Sequence, residues 1–188
     1  LLFFFVFCLT ETPGLAEPVA TSKPDVSIKP PVPYKAKYQA EWKQGWVPIT
    51  VQATRKLSQS ETGRWVLAFA VNSSLADLYE SSSLELIKDS LVPQTYVYKT
   101  NGFLTKERRE QVFHWQDKKV WGGHEKKFWD YELPQGAQDS LSYQEQLRLD
   151  LINGKKQLSY PVIYKHKLKI YEFEIVGDQK LKTPNGNI

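Results

Sequence analysis

The chain has no methionine and one cysteine, Cys8, in 188 residues. A single thiol cannot form an intrachain disulfide or a multi-cysteine metal site. There is no glycine-rich phosphate loop, no Gly-x-Ser-x-Gly elbow and no His-Glu-x-x-His motif, which removes the common signatures of nucleotide binding, serine hydrolysis and zinc proteolysis. An excess of one charge is also lacking. The 25 basic and 21 acidic residues leave a net charge of +4, which makes no case for nucleic acid. No cofactor and no metal are called for. Rings, by contrast, are plentiful: six Trp, ten Tyr and nine Phe, in a chain long enough for one domain with its own core.

The longest apolar run, Leu1–Leu9, is about half of the roughly 20 residues that span a bilayer. Gly14 and Ala16 then supply small residues at the −3 and −1 positions of a cleavage site. Residues 1–16 therefore read as a secretory signal peptide cut after Ala16, with a cut after Ala20 as second choice. Its missing basic region and initiator Met mark an N-terminus clipped by a few residues. A buried helix would be ended too early by Pro13-Gly14, and Cys8 lacks the small residues that precede a lipid-attachment cysteine. The mature chain is expected to carry no transmembrane segment. Residues 17–33 hold five of the eleven prolines and read as an extended tether, or as a proline-rich ligand for another protein. At the other end the Asn185-Gly186 turn signal leaves no room for a returning strand, so the domain over 34–188 is expected to continue beyond Ile188.

From Tyr34 the apolar period becomes two. Tyr34, Ala36, Tyr38, Ala40 and Trp42 alternate with polar residues; Val47, Ile49, Val51 and Ala53 answer them after a turn; Trp65, Leu67, Phe69 and Val71 repeat the pattern. Asn72–Glu80 is ambiguous between a loop and a short helical turn. Ser83–Ile87 and Thr95–Lys99 read as strands around a Lys88-Asp89-Ser90 turn, Thr100-Asn101-Gly102 as another turn, Thr105–Trp115 and Val120-Trp121 as further strands, and Lys169–Val176 as a late one. One segment, about 140–152, breaks the period. Ser142 and Glu145 match a capping box and Asn153-Gly154 a stop, so a helix is expected with Tyr143, Leu147 and Leu151 laid on a sheet. The fold class is mainly β: a curved antiparallel meander or half-open barrel with one helix packed on it. The alternative is a β-sandwich.

The candidate ligand-binding residues are Trp115, Trp121, Trp129 and Tyr131 around Gly122-Gly123, with Arg108 from the basic run Lys106–Arg109. Exposed indoles stack on sugars or line an apolar cavity, and a guanidinium grips an anionic head group. The same rings also suit a small β core, and the basic run also suits the wet face of a strand. Trp42, Trp46 and Trp65 read as core. His114 and His124, ten residues apart across a turn, could meet on adjoining strands as a general-base or zinc site with Asp117 or Glu125; solvated surface histidines are the other reading.

Several segments together resemble a known family. They are Glu80–Leu84, Asp89–Pro93 with Tyr96-Val-Tyr98, Val112–Trp115 with Val120, Asp139–Ser142 with Gln146, Arg148 and Leu151, and Glu172–Asp178 with Thr183–Gly186. Their order and spacing are similar to those of the domain of unknown function 3108 family, secreted envelope proteins of Gram-negative bacteria. His114 stands where that pattern usually has an acid. The resemblance implies a periplasmic location and a β-rich fold, and it brings no catalytic residues. The expected role is binding without catalysis, of an apolar or glycan ligand or an envelope partner, through a concave, aromatic-lined sheet. The alternatives are an envelope hydrolase built on His and carboxylate, and an assembly or scaffold protein.

Overall fold

The computed structural model describes residues 28–44, 47–73, 76–102, 106–124, 127–177, 180, 182–183 and 186–187. The signal segment, its cleavage site and Trp46 lie outside the described residues. Eight strands run in chain order: β1 (Tyr34–Gln44), β2 (Val47–Gln59), β3 (Trp65–Ser73), β4 (Ala76–Ile87), β5 (Ser90–Gly102), β6 (Lys106–His114), β7 (Lys119–His124) and β8 (Lys127–Glu132). Each pairs antiparallel with the next in one eight-stranded sheet whose first and last strands are not joined. The meander expected from the alternation is therefore present, and it stays open. A second layer follows: α1 (Ser142–Ile152) and a hairpin of β9 (Leu158–Tyr164) and β10 (Lys167–Phe173). A short antiparallel pair, β11 (Lys182–Thr183) and β12 (Gly186–Asn187), follows; Asn185 and Ile188 lie outside the described residues.

Register sorts the side chains. Tyr34, Leu57, Leu67, Ser82 and Tyr96 lie across from one another on β1 to β5, and Gln111, Gly122 and Trp129 continue the row to β8. This inner face carries the core: Leu57, Trp65, Leu67, Leu84, Leu91, Phe113 and Val120 are buried there against Leu133, Leu141, Leu149 and Ile163 of the covering layer. Each such side chain is worth roughly 1.5–3 kcal/mol. Asn72–Glu80, ambiguous in sequence, contains the end of β3 and the start of β4. Its alternation is disguised because the polar Glu80 lies on the same face of β4 as the inward Ser82. Thr100–Gly102 belongs to β5 rather than to a turn.

The helix lies where expected but rotated. Its buried residues are Ser142, Glu145, Gln146, Leu149 and Asp150. Tyr143 and Leu147 instead pack with Leu158, Tyr160 and Val162 of β9 and Tyr171 of β10, and Leu151 is 44% exposed. The cap also shifts by one turn. Asp139 Oδ1 accepts from the backbone N–H groups of Leu141 and Ser142, while Ser142 Oγ accepts from Asp139 N–H. This reciprocal pair does the work assigned in sequence to Ser142 and Glu145. Part of the proline-rich stretch is docked: Lys29 N–H donates to Asn153 Oδ1, Asn153 Nδ2 donates to Lys29 O, and Pro31 is buried.

Candidate functional site: the split between β5 and β6

The hairpin register divides the five sequence candidates between two faces. Trp129 sits opposite Gly122 and Tyr131 opposite Val120 on the inner face, where both pack on the core together with Trp115. Trp121 and Arg108 are on the outer face. Trp121 is 53% exposed beside Val112 and Phe128, and Arg108 is paired with Glu110. The Gly122-Gly123 pair explains this arrangement. A Cβ at Gly122 would lie 2.0 Å from Trp129 Cζ2, and one at Gly123 would lie 3.3 Å from the Phe128 ring. Bare backbone in β7 thus lets a ring lie flat on each face.

The histidines do not converge. His124 is opposite Arg109 and His114 is opposite Lys119, five positions apart along the strands, or about 17 Å at the usual strand rise. They also point to opposite faces. His114 stacks near Trp121, with ring centroids 4.6 Å apart, while His124 Nε2 lies 3.1 Å from Glu107 Oε1. The expected meeting fails because the turn is centred so that neither ring is the other's partner. Among the described residues no three His, Cys, Asp or Glu side chains are placed to hold a metal ion.

One opening on the inner face is built by a local failure of pairing. The β4–β5 register shifts between Ser83 and Leu84, where Leu84 meets Pro93, a residue with no N–H for a ladder. The β5–β6 pairing ends at Thr95 and Val112. Among the described residues, 90–94 of β5 therefore have no strand neighbour on the β6 side, and side chains satisfy their backbone instead. Gln146 Oε1 accepts from Leu91 N–H at 2.6 Å, Gln138 Nε2 donates to Leu91 O at 2.9 Å, and Trp115 Nε1 donates to Pro93 O at 2.7 Å. Between the parted strands lies a groove of about 800 Å³, within the usual range for ligand sites. Phe113 and Trp115, whose ring centroids are 6.1 Å apart, contribute aromatic lining, while Gln138, Gln146, Asp150 and Tyr160 contribute polar lining from the covering layer.

The polar lining is held rigidly. Asp150 accepts from Tyr160 OH at 2.8 Å and from Gln146 Nε2 at 2.8 Å, and it pairs with Lys155 Nζ at 2.9 Å. Burial and the bond to Asp150 push the Tyr160 phenol up. Burial works against the Lys155 charge, but bonds to Asp150 and Asp89 outweigh it and raise that amine, while the bond from Lys155 holds the Asp89 carboxyl below its usual value. Gln138 is 4% exposed, and its Oε1 has no hydrogen-bond partner among the described residues.

Farther under α1 the contact with the sheet is also polar. Glu145, fully buried, accepts from Tyr34 OH at 2.6 Å and pairs with Arg148 at 2.7 Å and Arg55 at 3.5 Å. Burial and the bond to Glu145 push the Tyr34 phenol up to about 12. Asp139, also fully buried, accepts from Ser82 Oγ at 2.5 Å, and burial raises its carboxyl despite its hydrogen bonds. Glu80 is raised by burial and then by Asp139. Sequence reasoning missed this network and the polar side of the groove, because their members come from separate segments with no shared spacing.

No helix among the described residues is long and apolar enough to cross a membrane. No curated protein and no solved structure matches the chain. The model of the family described as Protein of unknown function (DUF3108) matches residues 35–188, and the chain belongs to that family.

Proposed function

We propose that this protein is a non-enzymatic binding domain of the Gram-negative cell envelope, exported to the periplasm with cleavage near Ala16, and that the split between β5 and β6 takes a glycan. The observation that supports it is the lining of one groove by both Trp115 and the amide and carboxylate groups of Gln138, Gln146 and Asp150. A sugar offers a C–H face to an indole and hydroxyls to such groups. An apolar tail would desolvate Gln138 and Asp150 and return no hydrogen bond. Isothermal titration with soluble oligosaccharides from peptidoglycan and lipopolysaccharide core tests this. Saturable binding that weakens at least tenfold in a folded Trp115→Ala variant is expected. Binding indifferent to that change would remove the groove from the account, and competition by an apolar fluorescent probe alone would replace the sugar with a lipid.

A second reading, an envelope protein partner, has its own observation. Val112, Trp121 and Phe128 are 41%, 53% and 85% exposed on the outer face beside β8, the last strand of the sheet among the described residues. Crosslinking in envelope extracts that is lost in Trp121→Ala while glycan binding persists would favour that surface.

A further inference from the structure

The inner face has a second opening, at the turn of the β9–β10 hairpin, which shares no lining residue with the Trp115 groove. It is a cavity of about 230 Å³ between β6, β7, β8 and the hairpin turn. Its apolar walls are the buried Tyr96 ring and the Trp129 ring, the latter fixed in place by the bare backbone of Gly122. Its charged groups are mostly cationic. Arg109 is clamped with its guanidinium 3.8 Å from the Tyr98 ring centre and 5.9 Å from that of Tyr164. Glu107 stands 2.9 Å from Arg109 Nε and 3.1 Å from His124 Nε2, so one carboxylate serves both. The Glu110 carboxylate is turned to Arg108 on the outer face. Lys127 and Lys165 also line the cavity, and among the described residues neither is paired with a carboxylate.

Gln111 adds a second, independent sign of a ligand. It lines the cavity at 3% exposure, and its Nε2 donates to Ile163 O at 3.1 Å and to Lys165 O at 3.2 Å. Those carbonyls fix the amide's orientation, because a flipped amide would set oxygen against oxygen. Its Oε1 is left with no partner among the described residues, which is costly unless a donor reaches it.

We propose that this cavity binds a small aromatic acid that carries a hydrogen-bond donor. Its carboxylate faces Lys127 and Lys165, its ring lies between Tyr96 and Trp129, and its donor reaches Gln111 Oε1. The cationic rim selects the charge, the two rings select a flat apolar body rather than a bare inorganic anion, and the amide oxygen selects a hydroxyl or amine.

The test is calorimetric titration of the full chain with 4-hydroxybenzoate, with 4-hydroxybenzamide, benzoate and inorganic phosphate as controls. One equivalent of 4-hydroxybenzoate should bind. The neutral amide should bind roughly tenfold more weakly, since it lacks the charge-assisted bonds, and benzoate should also be weaker for want of the donor. Phosphate should not compete. Lys127→Ala and Lys165→Ala alter exposed side chains, so their thermal melts should match the parent while each weakens 4-hydroxybenzoate severalfold. Trp115→Ala should leave this binding unchanged, which separates it from the glycan groove. Absence of saturable binding, equal affinity for acid and amide, or indifference to both lysine changes would overturn the proposal.

Discussion

Helix α1 meets its two neighbours through opposite chemistries. Toward β9 and β10 it presents Tyr143 and Leu147 to apolar side chains. Toward the large sheet it presents Glu145 and Gln146, with Leu149 as the apolar member. The first contact obeys the rule that apolar residues are buried. The second shows what that rule leaves out: a carboxylate can be buried when donors already wait on the other surface, as Tyr34 and Arg55 do for Glu145 and Ser82 does for Asp139. Such a seat fixes the position of the helix more narrowly than a greasy one, because every bond has a direction. It is also less forgiving of change.

The most disruptive way to break that comparison is Asp139→Ala. It strips the partner from Ser82 Oγ and from two backbone N–H groups at the start of α1, and urea unfolding should show a loss of about 3–5 kcal/mol. Asp139→Asn sharpens the same point through pH. Because the folded state raises this carboxyl above its ordinary 3.8, the folded chain holds the proton more tightly than the unfolded one. The stabilisation from this group is full below 3.8 and is lost as pH climbs through the raised value. The stability of the parent relative to Asp139→Asn should therefore fall across that window; a rise would contradict the burial seen here.

Next in size is a pair of leucines on one helix. Leu149 is 1% exposed and Leu151 is 44% exposed. Leu149→Ala should cost about 2–5 kcal/mol in chemical denaturation, and Leu151→Ala less than about 0.5 kcal/mol. Reversed values would restore the apolar stripe as the buried face. Smaller again, Gly122→Ala drives a methyl group into the Trp129 ring and should cost about 1–3 kcal/mol in thermal unfolding. Gly123→Ala meets the rim of the exposed Phe128 ring and should be close to neutral. Asn153→Ala releases the backbone of Lys29 and should cost about 1 kcal/mol, with faster amide exchange around Lys29–Pro31.

Much of the sheet was legible because β1, β2 and β3 alternate cleanly, and α1 was legible from its break in period. β9 was not. Its sequence includes Pro161, and Val162 and Ile163 are buried on both sides, one toward the helix and one toward the sheet, so no period of two shows. The outward rotation of Leu151 was hidden for a different reason. The donors that make Glu145 and Asp150 buriable lie on β1, β2 and β9 and after the helix, and no local pattern announces them. Of the candidate groove, only Trp115 was marked in sequence; Trp129 and Tyr131 pack on the core without lining the groove, and the separation of Trp121 from them needed the β6–β8 register. The groove itself was invisible, since it arises from the mismatch at Pro93 and the early parting of β5 from β6.

The covering layer packs on the core of the inner face, and the proposed place of entry for a glycan is the β5–β6 split. Nuclear magnetic resonance of the indole and side-chain amide protons during titration with a peptidoglycan oligosaccharide tests it directly. The Trp115 indole and the Gln138 and Gln146 amides should shift together and saturate, with Trp121 unmoved. Shifts centred on Trp121, with Trp115 and both amides unchanged, would contradict it.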